Sequence, residues 1–236
     1  YLTIPPVTMG IPSHTARNGP SSYYDYYTHY WIWEDEFDPG LHRHITKEEA
    51  LELDNVIDAY NEIIEETAER YGWIVVPMNR YVYNLHYGLE RNDTPSRTYP
   101  KELSRALNQN PLTRHLVNER GQPTLNTQYV AVDSVTNKLV NGGIFSLDGI
   151  HPTTTAYGMI AHYFMTSMRE DGVRFNRELD WDYIIDNDTL LSNPPYLLNN
   201  LRHVLRILSM DRSPTNSSWG NHLLFQLMDL FGYRRS

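Results

Sequence analysis

The sequence predicts an α/β fold, and three observations carry that prediction. A stretch from Thr46 to Tyr71 has helical periodicity, the apolar run Trp73–Pro77 follows it directly, and a second periodic stretch covers residues 153–168. A helix followed at once by an apolar strand is typical of a parallel sheet that helices cover on both faces. We therefore expect a three-layer α/β/α domain with a mostly parallel sheet, whose first strands are missing from this chain.

The first predicted helix has both a start and a stop signal. Thr46 as N-cap and Glu49 three positions later form a capping box. Gly72 stands where a helix of this length should end. Apolar residues spaced by three or four positions mark the face expected to be buried: Ala50, Leu53, Ile57, Tyr60, Ile64, Ala68 and Tyr71.

Four segments read as strands. Residues 1–8 are β-prone and closed by prolines, and residues 73–77 are continuously apolar, so both fit buried strands. Residues 129–133 form another strand candidate, and residues 137–145 can pair with it as a hairpin. Gly142-Gly143 would provide a bend in that hairpin.

The remaining chain determines the expected domain organisation. Residues 80–127 have no strong period and many turn residues, so they read as a long insertion with a short helix near residues 101–107. We expect residues 1–168 to form the C-terminal portion of one α/β domain. Residues 169–236 would form a helical C-terminal extension packed on that same domain.

Composition excludes several classes of function. Lys+Arg total 20 against 29 Asp+Glu, a net charge of −9, which argues against nucleic acid as a partner because that affinity depends on neutralising phosphates. The chain has no cysteine, so thiolate metal sites and a cysteine nucleophile are excluded, while the cellular compartment stays open. No apolar stretch approaches 18 residues, so no transmembrane segment is expected.

The most informative motif lies between the last strand candidate and the second helix. It reads Phe145-Ser-Leu-Asp148-Gly-Ile-His151-Pro152. An Asp and a His three residues apart on a strand-to-helix turn can lie side by side, so that the carboxylate holds the imidazole Nδ1–H and leaves Nε2 free as a general base. Gly149 permits the sharp turn, and proline suits the start of a helix. A plain helix N-terminus with a chance histidine is the alternative interpretation.

This motif, continued by Thr-Thr-Thr-Ala-Tyr-Gly-Met-Ile-Ala, resembles the last signature block of the SGNH/GDSL hydrolases. Residues 2–8 are loosely similar to that family's late strand ending in proline. Residues 59–64 leading to residues 74–77 are similar to its helix with a central Asn and the next strand. The resemblance implies an SGNH-hydrolase/flavodoxin-like fold and assigns Asp148 and His151 to a Ser-His-Asp triad.

The resemblance also implies residues that the chain does not contain. The family places its nucleophile in an early Gly-Asp-Ser block and its oxyanion-hole Gly and Asn in blocks that also precede the late strand. Gly19-Pro20-Ser21 is the nearest imitation, and a turn serine is the better interpretation of Ser21. The chain would then be the C-terminal portion of an esterase or acyl hydrolase and inactive alone. Its partners would be the upstream segment of the same parent chain and a small-molecule or carbohydrate ester, with no cofactor.

An aromatic run offers a second candidate site. Residues 23–33 hold seven aromatic residues in eleven positions. Such rings can line an acyl pocket or stack on sugars, and the predicted substrate-binding residues are Tyr23, Tyr27, Tyr30 and Trp31. A loop packed over the core is an equally simple interpretation. The run also supports an alternative function, a non-catalytic carbohydrate-binding or interaction module.

A third group of residues has the types found in metal sites. His42 and His44 follow Asp35, Glu36 and Asp38 closely in sequence. The Pro39-Gly40 pair indicates a turn rather than a strand, so a polar surface loop is the expected structure and no metal is predicted.

Overall fold

The computed structural model describes residues 1–5, 13–14, 23–28, 37–87, 99–147, 149, 151–195 and 198. Helices dominate this part of the chain. They are α1 (Lys47–Tyr71), α2 (Met78–Tyr87), α3 (Lys101–Gln109), α4 (Thr154–Glu170), α5 (Trp181–Asp186) and α6 (Thr189–Ser192), with a 3₁₀ turn at Arg114–Leu116.

The strands are short and form two small sheets. Strands β1 (Ser13–His14), β2 (Tyr26–Tyr27) and β3 (Ile45–Thr46) form one sheet in that order. Strands β4 (Ala131–Val132) and β5 (Leu139–Asn141) form the other. Every pairing between these named strands is antiparallel.

The predicted three-layer α/β/α fold with a mostly parallel sheet is therefore wrong. Segments 1–5 and 73–77 do lie side by side in parallel, but a single bridge between Leu2 and Val76 joins them. Thr3 N donates to Val76 O at 3.1 Å, and Val76 N donates to Tyr1 O at 2.8 Å. Met78 N, the next possible donor, turns back to Val76 O at 2.8 Å instead of continuing the pairing, and α2 begins at that residue. The apolar run is thus too short to extend a sheet.

Helix α1 has the ends that the sequence predicts. Glu49 N donates to Thr46 Oγ1 at 3.3 Å, and Thr46 N donates to Glu49 Oε2 at 2.8 Å, which confirms the capping box. Gly72 adopts φ 65°, the left-handed conformation that ends a helix without a side-chain penalty. Each end of the helix is thus determined by residues close to it in sequence.

The buried face of α1 differs from the predicted one. Ala50, Asp54, Asn61 and Ala68 are buried, whereas large apolar side chains such as Leu53 remain exposed. Asn61 explains this orientation because its Oδ1 accepts from Ile4 N at 2.6 Å and its Nδ2 donates to Ile4 O at 2.8 Å. A side chain that pairs with both backbone groups of one residue offsets the cost of burying polar atoms.

The region predicted as an insertion contributes to the core. The short helix expected near residues 101–107 is confirmed as α3, and α2 precedes it. Residues from this region join one apolar cluster with α4, α5 and α6; among them are Leu85, Leu103, Leu107, Leu116, Leu125, Met159, Trp181, Ile185 and Leu191.

The hairpin and the second long helix are also confirmed. Strands β4 and β5 pair within the two segments that the sequence indicates, and Gly142 and Gly143 follow with φ 87° and 95°. Helix α4 begins at the predicted position, after its N-cap Thr153. Within the predicted C-terminal extension, residues 169–195 and 198 are described. The other residues beyond Pro195 lie outside the described part of the chain. In the part of the chain that is described, no helix combines the length and apolar character needed to cross a bilayer.

Candidate functional site

A short turn connects the bend after β5 to α4 and carries His151. Phe145 and Pro152 form an antiparallel bridge that closes the turn. Ser146 N donates to His151 O at 2.8 Å, and Thr153 N donates to Ile144 O at 2.9 Å. The two arms of the turn are therefore tied together by backbone hydrogen bonds on both sides of the bridge.

Gly149 makes the tip of this turn possible. It has φ 73°, a conformation that disfavours residues with a Cβ, and its N–H donates to Ser146 O at 2.9 Å. The Tyr129 ring lies over it, since a methyl group at position 149 would come within 3.7 Å of Tyr129 Cδ2. Tyr129 OH also donates to Leu147 O at 2.7 Å. Tyr129 thus supports the turn, a role that no sequence signal indicated.

His151 is exposed at the end of the turn. Its ring is therefore not part of the apolar core, and a substrate can approach it from solvent. Asp148 and Ile150 lie outside the described residues. The pairing of Asp148 with His151 accordingly stays a prediction.

The start of α4 fixes the C-terminal arm of the turn. Thr153 Oγ1 accepts from Ala156 N at 3.2 Å as a helix cap and donates to Gly143 O at 2.8 Å. Asp188, far along the chain, accepts through Oδ2 from Thr155 N at 2.8 Å. The last residues before α4 are therefore held both to the bend after β5 and to the C-terminal part of the fold.

The described half of the aromatic run packs against α1 and against itself. Tyr27 is 2% exposed, and its hydroxyl accepts from Tyr24 N at 2.9 Å. Tyr23 OH donates to Asp54 Oδ2 at 3.0 Å, and Asp54 is buried on α1. These contacts explain how Asp54 is accommodated in the interior. Substrate binding by Tyr23 and Tyr27 stays a prediction, as it does for Tyr30 and Trp31, which lie outside the described residues.

The histidine-containing loop after this run is organised by local hydrogen bonds. Asp38 N donates to His42 Nδ1 at 3.0 Å, and His44 Nδ1 lies 2.8 Å from His42 O. Residues 35 and 36 lie outside the described part of the chain, as does Ser21. Among the residues that are described, no three His, Asp or Glu side chains are grouped to hold a metal ion.

Burial shifts the pKa of four ring-bearing side chains on α4 or packed near it. Tyr81 and Tyr163 stack with ring centroids 3.8 Å apart, and burial raises the pKa of both hydroxyls. Burial lowers the pKa of His162, whose ring packs near Trp181 at 6.3 Å. His115 Nε2 donates to Leu139 O at 3.0 Å, and burial lowers the pKa of this histidine as well. Tyr163 is buried in the core, and the other three side chains are half-buried.

Comparisons of the chain with family models, with curated proteins and with solved structures give no match.

Proposed function

We propose that this chain supplies the His–Asp part of the catalytic triad of a serine ester hydrolase. The observation that carries the proposal is the position of His151, exposed on a turn that backbone hydrogen bonds close on both sides. A general base must be reachable by substrate and held in place, and an exposed histidine on a turn closed by backbone hydrogen bonds supports that role. The resemblance of the motif around Asp148 to the SGNH/GDSL hydrolases points to the same chemistry.

In the proposed reaction His151 acts first as base and then as acid. Its Nε2 takes the proton of a serine hydroxyl as the oxygen attacks the ester carbonyl. The same proton then passes to the leaving alkoxide, which separates the alcohol from the acyl-enzyme. Asp148 holds the Nδ1–H and so keeps the required tautomer. The serine and the oxyanion-hole donors come, in this proposal, from residues outside the 236 of this chain.

The proposed substrate is a small-molecule or carbohydrate ester. Ester hydrolysis of this type needs no cofactor, because the imidazole moves the proton and the oxyanion donors stabilise the developing charge. The acidic composition is compatible with an uncharged ester and unfavourable for a polyanionic ligand.

The test is ester hydrolysis by the intact protein that contains this chain, with and without His151→Ala. We expect turnover to fall by about 10⁴-fold or more, because a triad works as one unit. Asp148→Asn should cost about 10⁴-fold by favouring the wrong tautomer. His42→Ala serves as the control. His42 lies in another loop, where its Nδ1 accepts a hydrogen bond from Asp38 N, so its replacement should leave turnover unchanged.

Undiminished turnover in the His151→Ala protein would overturn the proposal. The 236-residue chain alone should be inert toward the same esters. Robust turnover by that chain would instead show that the nucleophile lies within it, with Ser21 the first serine to replace.

A further inference from the structure

The C-terminal helices α5 and α6 pack against the two elements that the His151 turn connects, the bend after β5 and α4. Leu191 lies against the bend after β5, where a methyl group at Gly143 would come within 3.7 Å of Leu191 Cδ1. Trp181 and Ile184 lie against α4, where a methyl group at Gly158 would come within 3.0 and 3.1 Å of them. The bend before the turn and the helix after it are thus packed against the same short segment of chain.

Asp188 connects this segment to the start of α4 by a direct hydrogen bond. Asp188 is 3% exposed and Thr155 is fully buried, so the bond from Thr155 N to Asp188 Oδ2 is shielded from water. A carboxylate in the first turn of a helix is stabilised by the unpaired N–H groups and the positive end of the helix dipole. A hydrogen bond to a charged acceptor is also stronger than one between neutral groups.

Asp188 itself is held in place by its own neighbours. Its N–H donates to Ile185 O at 3.1 Å, and its carbonyl accepts from Ser192 Oγ at 2.9 Å. The backbone that carries the Asp188 carboxylate is therefore fixed at the junction of α5 and α6. A displacement of this junction would be passed directly to Thr155.

We propose that Asp188 is a positioning residue for His151, a proposal that rests on the proposed function of His151 as general base. Thr155 is two residues beyond Thr153, and Thr153 ties the turn to Gly143 and Ile144. Loss of the Asp188 bond frees the start of α4, and the pairing of Ser146 with His151 then loosens with it. The segment 180–192 thereby acquires a role in the proposed site.

The experiment compares Asp188→Ala, Asp188→Asn and a matched control, Asp186→Ala, in the intact protein. Asp186 lies two residues away and accepts from Asn110 at an exposed position, so its loss removes a carboxylate without touching α4. Amide hydrogen exchange and the NMR signals of the His151 ring report on the turn. We expect exchange at Thr155 to accelerate about tenfold in Asp188→Ala. Exchange at Ser146 and Thr153 should also accelerate, and the His151 ring signals should shift.

Kinetics distinguish a positioning role from a general loss of stability. In Asp188→Ala, kcat for ester hydrolysis should fall by about 10²-fold at temperatures where the protein is folded, with KM unchanged, because the base is misplaced while substrate contacts remain. Asp188→Asn keeps an acceptor oxygen and should recover part of kcat. Asp186→Ala should match the wild type.

Wild-type exchange at Ser146 and Thr153, together with unshifted His151 ring signals, would overturn the positioning role. If Asp188→Ala does not fold, Asp188→Asn is judged by the same three amides and the same ring signals. A wild-type protein without ester hydrolysis would overturn the proposed function alone, since exchange and ring signals still decide whether Asp188 holds the turn.

Discussion

Helices α1 and α4 begin with the same kind of cap, but different parts of the molecule complete it. Each N-cap is a threonine whose hydroxyl accepts from the N–H three residues on. At α1 the second bond of the cap comes from Glu49, within the same turn. At α4 the further bonds join Thr153 to Gly143 and Thr155 to Asp188, 10 and 33 residues away.

This difference shows which helix end is a local property and which depends on the fold. The α1 cap is exposed, so solvent can replace its hydrogen bonds at small cost. The α4 cap is buried, so the loss of one hydrogen-bond partner leaves a polar group that water cannot reach. Because His151 lies two residues before the N-cap of α4, the geometry of the proposed site depends on residues distant in sequence.

The largest loss of stability should come from Gly143→Ala, which disturbs the bend whose carbonyl oxygen accepts from Thr153 Oγ1. Gly143 has φ 95°, and an added methyl group would come within 2.7 Å of Leu125 Cδ2. Strain and overpacking together should lower the free energy of unfolding by about 3 kcal/mol, measured by urea denaturation. Gly121→Ala is the control, since its φ is 75° with no atom within 4 Å, and it should cost about 1 kcal/mol. Equal costs would mean that packing at the bend is unimportant.

Truncating the two caps compares the helix ends directly. Thr153→Ala removes a helix cap and a buried hydrogen bond to Gly143, and it should lower the free energy of unfolding by about 2 kcal/mol. Thr46→Ala removes only an exposed cap and should cost about 1 kcal/mol. Urea denaturation of both variants under one condition measures the difference. Indistinguishable costs would contradict the distinction between a local and a tertiary cap.

Mild acid should destabilise the packed region around α4 through His162. Burial lowers its pKa below the ordinary value of 6.5, so the unfolded chain takes up a proton at higher pH than the folded protein does. The stability that depends on neutral His162 is complete above pH 6.5 and is lost as the pH falls through the folded pKa. Thermal melts of His162→Gln should show a smaller loss between neutral pH and about pH 5. An unchanged pH dependence would exclude His162 as a contributor, leaving His115, whose pKa is lowered in the same direction.

The smallest effect on stability should come from the titration of Glu49 in the exposed cap of α1. The backbone N–H of Thr46, followed by its hydroxyl, lowers the pKa of Glu49 below the ordinary 4.5. Its contribution is therefore present above pH 4.5 and lost as the pH falls through the folded pKa. Glu49→Gln should remove a slight acid dependence near pH 4.5 and leave the His162 dependence intact, as thermal melts across both ranges can show. A loss of the dependence near pH 6.5 in this variant would be inconsistent with independence of the α1 cap from the packing around α4.

Local signals predicted much of the secondary structure and little of its assembly. Helix α4 follows from its periodicity and the β4–β5 hairpin from its strand candidates and glycine positions, whereas α3 was expected as a short helix in a region without a strong period. The parallel sheet failed because apolar runs indicate burial without specifying a partner, and because the chain turns into α2 directly after one bridge. For the candidate site, the sequence indicated the turn with Gly149 and His151. Tyr129 and Asp188 could not be predicted, because their contacts are made across the fold.

The sequence by itself determined where α1 begins and ends, and that a turn with Gly149 leads into α4. Those signals act within a few residues, so no tertiary contact is needed to read them. Only the tertiary structure decided that α1 buries Asn61 instead of Leu53, and that Asp188 completes the start of α4. A buried polar group must find a hydrogen-bond partner somewhere in the fold, and the identity of that partner depends on which distant segments pack together.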